Sequence, residues 1–303
     1  MSPVIVNKLH TLSGHRDCVY TLQRSASSHL FFSGAGDGMI AAWDLTNPDK
    51  GQLIAQLPNS VYALHHHPKN GLLIAGHNYD GIHLLDWQNK LEVGSLQITT
   101  AAIFDIQSFD NNVFIASGDG TITQVDISDL TVKRKIQVSS KSVRTLAINQ
   151  ASGEIAAGSS DNFIRIFDLE TLVLKEALQA HTNSVFSLRW SPDHQFLYSG
   201  SRDARLKRWD RTAGYALANE VVAHLFAINH IEFSPNGKHF VTCSMDKSIK
   251  VWDTEGMKLL KVIDRARHAG HGTSVNKLLW TTFNNHLVSS SDDRSISVWE
   301  IIF

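Results

Sequence analysis

Residues 203–210 read Asp-Ala-Arg-Leu-Lys-Arg-Trp-Asp, a turn acid followed by a short run that closes on an aromatic–acid pair. The same pattern runs from Asp37 to Trp43-Asp44, from Asp246 to Trp252-Asp253 and from Asp293 to Trp299-Glu300. Weaker copies end at Leu85-Asp86, Val125-Asp126 and Phe167-Asp168. The closing acids stand at 44, 86, 126, 168, 210, 253 and 300, at intervals of 42, 40, 42, 42, 43 and 47 residues. A period of roughly 40–45 residues marks a repeat array, with one supersecondary unit per copy.

Inside each copy the local signals are those of strands. Short runs of Val, Ile, Phe and Trp alternate with Gly, Asn, Asp and Ser clusters. Ser191-Pro192-Asp193 and Ser234-Pro235-Asn236-Gly237 have turn chemistry, because Pro fixes φ and Gly permits positive φ. An apolar pair three residues apart opens every copy: Val19/Leu22, Val61/Leu64, Ile103/Ile106, Val143/Leu146, Val185/Leu188, Ile228/Ile231 and Val275/Leu278. In a regular strand such residues point to opposite faces, so this strand is expected to be covered on both sides. No helical periodicity competes. The fold predicted is all-β, a closed seven-bladed β-propeller of four-stranded antiparallel blades.

These motifs resemble the tryptophan–aspartate (WD) repeat family, and the resemblance covers essentially the whole chain. Family blades carry Gly-His before the first strand; Gly14-His15 and Gly270-His271 match in full, Ala180-His181 and Ala223-His224 nearly so. The resemblance implies ring closure by the two ends. Only Ile301-Ile302-Phe303 follow Glu300, and Lys8–Leu12 stands before His15 as Leu174–Leu178 stands before His181. The N-terminal strand is therefore expected to complete the last blade and remove both edges, giving one domain over residues 1–303. No N-terminal coiled coil, F-box or WDxR sequence marks a subfamily.

With 43% hydrophobic and 19% charged residues and a net charge of −1, the chain has no overall field that draws it to nucleic acid or anionic membrane. Cys18 and Cys243 form neither a disulfide framework nor a paired metal motif, which fits a reducing compartment. Met1–Lys8 lacks signal-peptide character and no apolar run approaches the ~20 residues of a membrane span. A cytoplasmic protein is expected.

Four recurring sets invite a hydrolase reading: His15, Ser33, Asp37 and Trp43; His181, Ser199, Asp203 and Trp209; His224, Thr242, Asp246 and Trp252; His271, Ser289, Asp293 and Trp299. An active site is needed once, so four copies argue for structure. The family resemblance implies a relay from indole N–H to hydroxyl to imidazole to carboxylate. Leu57, Thr99 and Ser139 replace the histidine in the second to fourth blades, Ala75, Ile115 and Ala157 the hydroxyl, and Tyr79 one acid. Those blades are expected to rely on apolar packing. His65-His66-His67, with His77 nearby, cannot converge on one ion, since neighbours in a strand alternate faces. No metal site and no cofactor is expected. Lys261, Arg265, Arg267 and His268 lie in the longest inter-blade connection, read as a solvated loop with an anion contact as the alternative. No phosphate-binding glycine loop, HExxH or GxSxG occurs.

Partners of WD-repeat propellers often dock around the channel entrance. The positions that flank the opening Val and precede the turn acid place Tyr20, Tyr62, Phe104, Arg144, Phe186 and Arg202 there, while the last two blades offer small or polar residues. Tyr and Arg are enriched at interface hot spots. The expected function is a non-catalytic scaffold for a protein or peptide with apolar and acidic side chains. It is expected to act as a monomer or as a subunit of a hetero-complex. A nucleic-acid binder is the alternative and an enzyme using a channel pocket the third reading.

Overall fold

The computed structural model describes residues 4–303. Seven four-stranded antiparallel sheets follow one another along the chain. Blades 1 to 6 span residues 19–56, 61–96, 103–137, 143–179, 185–222 and 228–263, and blade 7 joins residues 275–302 to strand Ile5–Ser13. Within a blade the strands run a to d in chain order. Each strand a packs on the strand a of the next blade, and Val275–Trp280 packs on Val19–Arg24, so the ring is closed. Strands a to c are largely buried, whereas the outer strands, such as Leu174–Gln179, are mostly exposed.

Every opening pair is buried, but the geometric reason differs from the regular-strand expectation. Val19 pairs with Ala35 and Thr21 with Gly34, leaving Tyr20 as an extra, unpaired residue. Leu22 then faces Ser33, two residues from Ala35, so Val19 and Leu22 share one face and one core cluster. The same register shift recurs in the first strand of all seven blades. A β-bulge of this kind flips the phase of the strand and re-aims one side chain. The opposite face is covered by the residue after the bulge, Thr21, Ala63, Thr145, Ser187 or His230 in five of the blades.

Strand b leaves room for the neighbouring blade. A Cβ at Gly76 would stand 2.4 Å from Ile103, and one at Gly200 would stand 2.6 Å from Ile228. The opening Ile of one blade therefore seats against bare backbone of the blade before it, and the blades approach closely.

Strand Ile5–Ser13 pairs antiparallel with Ser295–Ile302, from Ile5 opposite Ile302 to Ser13 opposite Ser295. Leu9 and Leu12 join the cluster of Val19 and Trp43, while Val4 and Val6 pack on that of Trp280 and Trp299. Both faces of the closing strand thus contribute to the core. Met1, Ser2 and Pro3 lie outside the described residues. Among the described residues no helix is long and apolar enough to cross a membrane; the one helix, α1 (Arg265–His268), has four residues.

Candidate interaction face and channel

The bulge decides what surrounds the channel mouth. The extra residue of the seven inner strands is Tyr20, Tyr62, Phe104, Arg144, Phe186, Asn229 and Asn276 in turn. Five of them form one continuous row of contacts. Tyr20 and Tyr62 lie 4.7 Å apart between ring centroids, Tyr62 and Phe104 5.9 Å. The Arg144 guanidinium sits 4.2 Å from the Phe104 ring and 5.2 Å from Phe186, within cation–π range. All five are half-buried, whereas Arg202, before the turn acid of blade 5, is exposed. Burial lowers the Arg144 pKa, opposed by Tyr62 and aided by the nearby charge of Arg202.

Beneath the mouth the channel is polar. Its upper chamber, about 130 Å³, extends from these rings to Asp105, His230 and Lys277. A ladder of hydrogen bonds stitches the inner strands here. Leu146 N–H donates to Asp105 Oδ2 (2.8 Å), Leu188 N–H to Thr145 Oγ1 (3.3 Å), Ile231 N–H to Ser187 Oγ (3.0 Å) and Leu278 N–H to His230 Nδ1 (3.3 Å). In each case the side chain after one bulge caps the backbone after the next. His230 must be unprotonated at Nδ1 to accept, and burial, with Lys277, Arg189 and Arg24 nearby, keeps its pKa well below the ordinary value. At the far end buried Glu232 accepts from Arg24 (2.5 Å) of blade 1 and from Arg189 of blade 5. This brace ties blades 1, 5 and 6 together at the channel.

The four His–Asp sets are hydrogen-bonded chains. In blade 5 Trp209 Nε1 donates to Ser199 Oγ at 2.9 Å, Ser199 lies 2.8 Å from His181 Nε2, and His181 Nδ1 lies 3.0 Å from Asp203 Oδ2. Trp43–Ser33–His15–Asp37, Trp252–Thr242–His224–Asp246 and Trp299–Ser289–His271–Asp293 repeat it. Asp203 also accepts from the backbone of Thr182 and Arg205, tying the loop before strand a to the turn between strands b and c. Burial pushes the Asp203, Asp246 and Asp293 carboxyls up, but their histidine bonds prevail and hold them well below the usual carboxylate range. Burial lowers the His15 and His224 pKa against the pull of their acids. Each member has its hydrogen-bonding capacity committed within the blade.

Blades 2 to 4 depart from the expectation of purely apolar packing. Thr99 Oγ1 donates to Asp119 at 2.9 Å, and Ser139 Oγ donates to Asp161 at 2.7 Å. A hydroxyl bonds the turn acid directly, skipping the imidazole. In blade 2 Leu57 is buried, and polar bonding moves to His77, His83 and Glu92. The histidine triplet disperses: His65 Nε2 lies 2.7 Å from Ser108 Oγ, His66 stacks on Phe32, and His67 donates from Nε2 to the Asp110 carbonyl (2.9 Å). His67 is 1% exposed; it bridges two blades.

The connection before blade 7 is not a plain solvated loop. Leu259–Ile263 is a strand, and Asp264 caps α1 and pairs with Arg267 at 2.6 Å. On the mouth face, reasoning by equivalent positions missed an apolar patch on blade 6. Leu225 is 82% exposed, Phe226 60% and Met245 50%. They are neighbours, since Met245 N–H donates to the Ala227 carbonyl and Ser244 Oγ to that of Phe226. Arg16-Asp17 and Thr182-Asn183 follow the relay histidine elsewhere, so Leu225-Phe226 after His224 was a readable departure.

A cavity of about 750 Å³ lies on the opposite face between blades 5 and 6, lined by Phe196, Tyr198, Arg208 and His239. Arg208 there stacks on Phe196 and donates to the Thr254 and Glu255 carbonyls, so its cation is already engaged in holding two blades together.

A family model described as WD domain, G-beta repeat, matches residues 6–44, 131–168, 172–210, 217–253 and 262–300. Among curated proteins, the 66 kDa stress protein of Physarum polycephalum is 24% identical over 89% of this chain and 44% of its own length. Actin-interacting protein 1 of Drosophila melanogaster is 27% identical over 72% of this chain and 37% of its own. Nuclear distribution protein nudF of Emericella nidulans is 26% identical over 85% and 64%. The chain thus spans less than two thirds of the length of each of these relatives.

Proposed function

Since the chain belongs to the WD domain, G-beta repeat family, we propose that it is a non-catalytic interaction module that docks a protein or peptide on its channel-mouth face. The observation that carries this reading is the uninterrupted Tyr20–Tyr62–Phe104–Arg144–Phe186 row, displayed by bulges and free of the core register. Rigid aromatics and arginine give large contact area at small entropic cost. Arg202 and the Leu225-Phe226-Met245 patch extend the same face across blades 5 and 6. The preferred partner segment carries apolar side chains beside acidic ones, which would meet Arg144 and Arg202. Relatives named for interaction with actin and for nuclear distribution accord with a scaffold. The four His–Asp sets are committed to holding the blades, which favours binding over catalysis. A cytoplasmic setting suits the two free cysteines.

The experiment is affinity capture with mass spectrometry, followed by titration of the recovered partner against variants. Arg144→Ala, Phe104→Ala and Leu225→Ser/Phe226→Ser should each weaken binding roughly thirty-fold or more, as hot-spot truncations do. Lys238→Ala and Glu255→Ala, exposed on the opposite face, should leave it unchanged. Full binding by the mouth variants would move the site elsewhere.

A further inference from the structure

We propose that His77, His83 and Asp80 of blade 2 bind one divalent cation of the zinc class. His77 ends strand Leu73–His77, and His83 lies across the turn in Gly81–Asp86. Neither belongs to the Trp–hydroxyl–His–Asp chains, whose hydroxyl and acid positions here are Ala75 and Tyr79.

One nitrogen of each ring is already committed. His77 Nδ1 donates to the Asn78 carbonyl at 2.7 Å, and His83 Nδ1 donates to the Glu92 carboxylate at 3.0 Å. A carbonyl and a carboxylate only accept, so both Nδ1 atoms carry hydrogen. In a neutral ring Nε2 is then a bare lone pair. The two Nε2 atoms nevertheless face each other at 2.8 Å. Two lone pairs at that distance repel, so the arrangement demands positive charge: an extra proton on one ring or a metal ion beside both. His77 is fully buried.

A metal accounts for the whole arrangement. Metal-bound histidines characteristically donate their other N–H to a carboxylate or a backbone carbonyl, and these two rings do one of each. The third donor is Asp80 on the connecting turn. Its carboxylate is half exposed, and Oδ2 stands 3.9 Å from His77 Nε2. No cluster of three ligands is preassembled among the described residues, so binding must draw Asp80 inward. Two imidazoles and a carboxylate, with the fourth position left to solvent, suit zinc. Zinc–nitrogen bonds of ~2.0–2.1 Å place tetrahedral nitrogens about 3.3 Å apart, a small opening of the present pair. His65, His66 and His67 scatter to separate partners and do not join His77. The partner is instead His83, six residues on.

The test uses the full chain, stripped with a chelator and exchanged into metal-free buffer. ZnCl₂ is titrated by calorimetry, and CoCl₂ by its visible d–d absorption. One equivalent should bind per chain, with cobalt bands of four- or five-coordinate intensity. His83→Ala, at a partly exposed position that keeps the fold by circular dichroism, should abolish uptake. Glu92→Gln should weaken it ~10–100-fold, because Glu92 only orients His83. Exposed His10→Ala should change nothing. Absence of stoichiometric uptake, or uptake that survives His83→Ala, would overturn the site; the former would leave a shared proton holding the rings.

Discussion

His181→Ala and Asp203→Ala, made singly and together, measure how the relay of blade 5 holds its two loops. His181 is 4% exposed and Ser199 0%, so removing the imidazole leaves a buried hydroxyl without its acceptor and Asp203 without one donor. A buried polar group without a partner costs about 1–3 kcal/mol. With the lost packing of the ring, the expected destabilisation is about 2–4 kcal/mol. Asp203→Ala releases four donors, His181 Nδ1, the backbone N–H groups of Thr182 and Arg205 and the Thr182 hydroxyl. The backbone donors lie near the surface, where water can replace the carboxylate, so about 2–3 kcal/mol is expected. The His181–Asp203 bond is lost in both single variants, so the double variant should fall short of the sum by about 1–2 kcal/mol. Urea unfolding followed by tryptophan fluorescence and far-ultraviolet circular dichroism gives these numbers, provided the slopes agree. Losses that add within about 0.3 kcal/mol would show that the two side chains act separately and refute the relay.

Three further outcomes follow from the geometry. Deleting residues 1–13 removes the strand paired with Ser295–Ile302 and exposes its edge; light scattering on warming should show aggregation well below the parent melting point, and an unchanged melt would contradict closure by this strand. Asp203, Asp246 and Asp293 have folded-state pKa values depressed below the unfolded ~3.9. Their contribution is therefore full above that value and lost as pH falls through the folded ones. Melting temperature should drop steeply below about pH 4, and less steeply in Asp203→Asn; parallel curves would argue against it. Arg24→Ala together with Arg189→Ala strands the carboxylate of Glu232, whose side chain is 3% exposed, and should cost about 3–5 kcal/mol in urea melts. Restoring stability with Glu232→Gln in that background checks that the unpaired charge is the cause.

The ring, its seven blades and its closure were legible because each rests on a repeat with a fixed period. Seven copies in register outweigh the failure of any one motif. The inner-strand bulge was not legible, since nothing in Val19-Tyr20-Thr21-Leu22 distinguishes a flat strand from one carrying an extra residue. Its consequence reached the sequence reading all the same, for Tyr20, Tyr62, Phe104, Arg144 and Phe186 were selected by position. The direct hydroxyl–acid bonds of Thr99 and Ser139 were hidden by the rule that a missing histidine means a missing chain. Leu225-Phe226 lies outside the positions that recur from blade to blade, so the repeat does not report it. The His77–His83 contact joins two strands across a turn, and no local spacing rule reports it. His67 is buried because the turn of blade 2 leans on the Asp110 carbonyl of blade 3, a contact between blades that no spacing within one repeat reports.

The seven bulges divide the protein's residues into two economies of change. A substitution at Val19 or Leu22 is felt by the neighbouring blade, whereas Tyr20 between them answers to no ladder partner. In blades 1 to 5 the inner strand therefore carries one position at which a side chain can be exchanged with little effect on the ring, whereas Asn229 and Asn276 donate to the Val275 and Val19 carbonyls of the next blade. A rewritten mouth would sit on an unaltered scaffold. A designer could thus vary the residues at 20, 62, 104, 144 and 186 as a five-letter word and expect most spellings to fold.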